Sequence, residues 1–136
     1  MGIVIDTSAV VDLERSSSGP GPSLPPSEES VYLPTIVLAE LWIGVELAKT
    51  EGLRRKRRAK VEALIEATTS IPFTEEVAPT YAKLYVDLRK LGKQIPSNDL
   101  AIAAIAVRFG HDVLVGASDE AHFRGIPGLK VLVLGR

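Results

Sequence analysis

Apolar residues run unbroken, rather than alternating, through the segments of this chain that read as strands. "GIVI" at 2–5, "VYLP" at 31–34, "SIPFT" at 70–74, "DVLVGAS" at 112–118 and "KVLVL" at 130–134 are short and bounded by polar or turn-forming residues. Between them the apolar period lengthens to that of a helix. "TSAVVDLE" reads as a helix start, "TIVLAELWIGVELAKT" as an apolar helix, and "GLRRKRRAKVEALIEAT" as an amphipathic one with Val61, Leu64 and Ile65 inward. "EEVAPTYAKLYVDLRKLGK" predicts a helix closed by Gly92, and "DEAHFRGIPGL" a turn or short helix. Residues 16–29, "SSSGPGPSLPPSEE", are dominated by Ser, Pro and Gly and read as a mobile loop. Strands of this kind separated by helices belong to a parallel sheet covered on both faces, the three-layer α/β/α class. In such sheets the functional crevice lies at the C-terminal ends of the strands, where the strand order reverses.

One helix carries a contradiction. "PSNDLAIAAIAVRF", at 96–109, is apolar on nearly every side and therefore destined for the interior, yet it opens with Asp99. Taken alone, Asp99 reads as a capping residue beside Ser97 and Asn98. The other reading is that it faces a metal or a substrate.

Composition narrows the choice. At 136 residues a single domain over 1–136 is expected, and sixteen basic against seventeen acidic side chains give a net charge of -1, which selects neither nucleic acid nor membrane as a partner. The absence of cysteine excludes disulfides and thiolate metal sites. No basic segment followed by an apolar core opens the chain and no apolar run approaches a membrane span, so a cytoplasmic protein is expected.

Three further acids matter. Asp6 follows the first strand and Asp119 follows "DVLVGAS", so topology brings both to the same sheet edge. Glu40 has Ile36, Val37, Ile43 and Gly44 as its helical neighbours, on an apolar stripe where an unpaired carboxylate is costly. Each has an ordinary alternative: Asp6 and Asp119 as caps, Glu40 in a salt bridge to Arg89 or Arg108. Converging together, carboxylates repel unless cations neutralise them, and hard oxygen donors suit Mg²⁺ or Mn²⁺.

The ordered set "IVIDTSAVV", "PTIVLAELWIGV", "PSNDLAIAAIAVRFG" and "LVGASDEAHFRGIPGLKV" resembles the PIN domain, and within it the toxins of VapBC toxin-antitoxin pairs. The resemblance implies a PIN-like α/β/α ribonuclease that binds Mg²⁺ or Mn²⁺ through Asp6, Glu40, Asp99 and Asp119. It implies supporting roles for Thr7, Ser8, Asn98 and Ser118, an RNA substrate, a VapB-like antitoxin and a homodimer. The stretch 16–29 departs from the family, which commonly places a helix after the segment of the first aspartate.

Positive charge is concentrated in "RRKRRAK", where Arg54, Arg55, Arg57 and Arg58 are candidates for RNA or partner contact and a solvated face is the ordinary alternative. Trp42 and Tyr32 read as core residues rather than base-stacking ones, and His122 as a packing residue rather than a catalytic one. Two rival functions stand beside the nuclease. A Mg²⁺-dependent nucleotide- or phosphate-sensing domain lacks a Gly-rich phosphate loop here. An aspartyl phosphatase usually needs a second acid two residues after the first, and Ser8 stands there.

Overall fold

The computed structural model describes residues 2–16 and 30–135. Strand β1 (Gly2–Ile5) leads into α1 (Thr7–Ser16) and is followed by β2 (Ser30–Pro34), α2 (Thr35–Glu46), α3 (Glu51–Ala67) and β3 (Thr69–Ile71). A 3-10 turn at Glu75–Val77 precedes α4 (Ala78–Lys90) and α5 (Ser97–Phe109). Then come β4 (Asp112–Val115), a 3-10 turn at Ala117–Asp119, α6 (Glu120–Phe123) and β5 (Val131–Val133). The helix start read in "TSAVVDLE" is present as α1, and the loop predicted at 16–29, where the chain was expected to depart from the family, lies from residue 17 on outside the described residues.

All strand pairs are parallel, in the order β3-β2-β1-β4-β5. The chain builds outward from β1 to β3, then returns to the other side of β1 for β4 and β5, so the order reverses between β1 and β4. Right-handed crossovers made in opposite directions put their helices on opposite faces. Accordingly α1 touches α2 and α2 touches α3, while α4 packs on α5 and α5 on α6. Strands β1 and β4 are buried along their whole length, which is why they read as unbroken apolar runs.

Local chemistry sets the element ends. Thr50 caps α3 by accepting from the Leu53 amide at 3.1 Å. Strand β3 stops at Ile71, short of the predicted "SIPFT", because Pro72 has no N–H for the ladder. Helix α5 ends at Gly110, whose φ of 71° closes the turn in the left-handed region. Seven of its residues are buried, among them the run Ile102–Ala106. Helix α2 is less submerged than its sequence suggests, with Ile43 exposed and Leu47 exposed just past its end.

Candidate active site

The crevice opens where β1 and β4 end side by side, and each acid reaches it from a different element. Asp6 leaves β1 with its amide still donating to the Leu114 carbonyl at 2.9 Å, so its backbone stays in the sheet plane. Its carboxylate is 1% exposed. Oδ2 accepts from the Ser8 amide at 3.0 Å and from Ser8 Oγ at 2.5 Å, and Ser8 Oγ in turn accepts from the Gly116 amide at 2.9 Å. One hydroxyl thus ties the acid after β1 to the backbone after β4. Gly116 is needed for the approach: a Cβ there would collide with the Asp12 carboxylate and the Ser8 carbonyl oxygen.

Glu40, half-buried on α2, accepts from Thr7 Oγ1 at 2.9 Å. Among the described residues no salt bridge holds it; of the two arginines considered as partners, Arg108 pairs with Glu76 at 3.1 Å instead. Asp99 is 9% exposed and occupies the third position of α5, and the capping reading is corrected here. Pro96 takes the N-cap place, no side-chain cap bond forms, and Asp99 Oδ2 faces His122 Nδ1 at 2.6 Å. Its charge still benefits from the N-terminal end of the helix. Asp119, half-buried after β4, has Ser118 Oγ 3.5 Å from its Oδ1.

Electrostatics show that the acids share one space. Burial, the largest cause, pushes Asp6 up to about 6; the Ser8 hydrogen bonds pull it back, and the charges of Asp99 and Asp119 push it further up. Burial also raises Glu40, opposed by the Thr7 hydrogen bond and reinforced by Asp99 and Asp119. Asp99 is raised by burial first, against the His122 hydrogen bond that lowers it and the Asp119 charge that raises it. Asp99 and Asp119 therefore act on both Asp6 and Glu40.

The remaining candidates fall elsewhere. Asn98 and Ser118 are exposed, and among the described residues Asn98 makes no hydrogen bond to the acids. In α3, Arg57 donates to the Gly44 carbonyl at 2.6 Å and the Arg58 guanidinium lies 5.9 Å from the Trp42 ring, so both brace the α2–α3 pair. Arg54 Nε is buried without a partner among the described residues, and Arg55 is exposed. Tyr32 stacks on His111 at 4.5 Å between centroids, and His111 Nδ1 accepts from the Gly2 amide at the far end of β1.

His122 is the residue the sequence reading missed. Phe123, fully buried, does the packing, and the histidine beside it turns to the acids. Its three-residue spacing from Asp119 across a helical turn was the available sign.

A family model for the PIN domain matches residues 3–128. The chain belongs to the PIN domain family. It is 35% identical over 134 residues to Ribonuclease VapC1 of Rickettsia felis, covering 98% of this chain and 97% of that protein. It is 29% identical over 129 residues to Ribonuclease VapC5 of Mycobacterium tuberculosis, covering 95% and 93%. The crystal structure of VapBC-5 from Mycobacterium tuberculosis, of the VapBC family of toxin-antitoxin systems, is similar with a TM-score of 0.77 and 28% identity, covering 98% of this chain and 100% of that one. PIN domain nucleases use divalent metal ions, and a crevice of buried and half-buried carboxylates, in which Asp99 and Asp119 raise Asp6 and Glu40, is a donor set fitting such an ion.

Proposed function

We propose that this protein is a metal-dependent endoribonuclease, the toxin of a type II toxin-antitoxin pair, and that Asp6, Glu40, Asp99 and Asp119 hold Mg²⁺ or Mn²⁺ at its active site. The observation that carries the reading is the gathering of these acids in one crevice at the β1/β4 reversal, where the charges of Asp99 and Asp119 raise Asp6 and Glu40 and that of Asp119 raises Asp99. Such a cluster is sustained by a cation that the chain does not itself supply. Similarity to proteins named Ribonuclease VapC over nearly the whole chain supports RNA as the substrate. When bound, the ion supplies Lewis-acid charge at the scissile phosphate and acidifies the attacking water.

The chain's own side chains do the placing. Ser8 holds Asp6 Oδ2, Thr7 holds Glu40 Oε1, and His122 holds Asp99 Oδ2, so three acids meet the crevice with fixed carboxylate orientations. Similarity to a member of the VapBC family supports a VapB-like antitoxin as partner, and we extend the reading to a homodimer in the cytoplasm, organised over 1–136 as one PIN domain. Among the described residues no helix is long and apolar enough to cross a membrane. Arg54, Arg55, Arg57 and Arg58 remain the candidate RNA or partner contacts, and Arg55, Arg57 and Arg58 are exposed.

Purified protein cleaves RNA with Mg²⁺ or Mn²⁺ and stops with EDTA under this reading. A protein that binds the ion but leaves RNA intact would instead be the Mg²⁺-dependent nucleotide- or phosphate-sensing domain.

A further inference from the structure

A nitrogen stands among the oxygens of the crevice. Asp99, Asp119 and His122 each offer one ligand atom, all within 4.8 Å of one another, and the closest of these spacings is the 2.6 Å between His122 Nδ1 and Asp99 Oδ2. On an octahedral ion with bonds of about 2.1 Å, adjacent ligands are about 3 Å apart and opposite ones about 4.2 Å. The short pair reaches the adjacent-ligand distance once the ring backs away by a few tenths of an ångström, and a spacing at the 4.8 Å limit needs to close by about 0.6 Å to match opposite ligands. The ring is also well placed to move: Phe123 anchors α6 in the core, while the His122 side chain keeps 39% of its surface open.

A histidine here has two available roles. In one, Nδ1–H only donates to Asp99 and orients it. In the other, the ring nitrogen joins the oxygens of Asp99 and Asp119 on the ion itself; the three are already gathered, and among the described residues the Asp119 carboxylate is engaged by the long Ser118 contact alone. We propose that His122 is a direct nitrogen ligand of the divalent ion, forming with Asp99 and Asp119 a mixed nitrogen and oxygen half-site that selects Mn²⁺ over Mg²⁺. The proposal rests on the metal-dependent reading above. Mg²⁺ holds to oxygen donors and water, whereas Mn²⁺ also accepts imidazole. Asp6 and Glu40, each fixed by a hydroxyl, make up the all-oxygen side of the same crevice.

Pulsed EPR of the full-length protein carrying one equivalent of Mn²⁺ reads the ligand directly. The expected spectrum contains an imidazole nitrogen coupling that changes on ¹⁵N-histidine labelling and disappears in His122→Gln. The chain's other histidine, His111, is engaged at the opposite end of β1 and does not confuse the assignment. Calorimetry gives a second readout: His122→Gln weakens Mn²⁺ binding by about tenfold or more and Mg²⁺ binding by much less. No Mn²⁺ binding, no nitrogen coupling in the wild type, or an equal loss for both ions overturns the proposal. Should His122→Gln not fold, the labelled wild-type spectrum decides alone. RNA cleavage is scored separately: nitrogen coupling without cleavage keeps the ligand and removes the nuclease, and cleavage without coupling does the reverse.

Discussion

Asp6 is an acid whose value in the folded protein, about 6, lies above its ordinary 3.8, so its ionised form opposes folding. The penalty is absent below pH 3.8, grows as pH rises towards 6, and is complete above it. A shift of that size corresponds to about 3 kcal/mol. In EDTA, Asp6→Asn should therefore be more stable than the wild type at pH 7.5, by up to that amount, with the advantage gone near pH 4; saturating Mn²⁺ should reverse the ranking. Urea denaturation across that pH range checks it, and an advantage independent of pH would assign the effect to packing. Asp99→Asn separates chemistry from architecture at the same scale. It removes a charge that raises Asp6 and Glu40 while keeping the side-chain shape, so cleavage should be lost and the melting temperature kept or raised. An active, strongly destabilised Asp99→Asn would return this residue to a purely structural role.

Elements differ in how much of them the sequence discloses. The strands were legible because a strand buried on both faces needs apolar side chains at every position, as Ile3, Val4 and Ile5 and then Val113, Leu114 and Val115 supply. The acids after β1 and β4 were legible from the same topology. Asp99 taken alone read as a cap because capping preference is local, and only its company with the other acids pointed to the crevice; the start of α5 is set by Pro96, which puts Asp99 inside the first turn. His122 was not legible because its direction depends on the register of a four-residue helix anchored by its neighbour. The basic run was half legible: its charge is plain, but which arginines turn to α2 is decided by tertiary contact. Arg57→Ala should cost about 1 kcal/mol through the lost bond to the Gly44 carbonyl near the C-terminal end of α2, and Arg55→Ala close to nothing. Thermal unfolding of the two variants side by side tests the assignment; equal losses would deny Arg57 its bracing role.

At the scale of the whole molecule, the cation binding proposed for the crevice would be coupled to global stability. A ligand that binds only the folded state at a hundredfold excess over its Kd adds about 2.7 kcal/mol, which for a chain of this size raises the melting temperature by about 9 °C. Chelation should remove that increment from the wild type and change Asp99→Asn far less. A scan with and without EDTA measures both, and an identical shift in the two proteins would place the ion outside the crevice.

The hydroxyl bridge from Ser8 to Gly116 spans 108 positions of sequence. Seen as an event in time, that span orders the birth of the protein. Asp6 is made well before β4, so its central strand has no β4 beside it, and Ser8 Oγ no Gly116 amide to grip, until the later part of this sequence has been made. Asp119 and His122 come later still. A nascent chain that stops short of β4 therefore carries the aspartate without the crevice. For the toxin proposed above, the topology itself withholds the assembled crevice until the residues of β4 have been made.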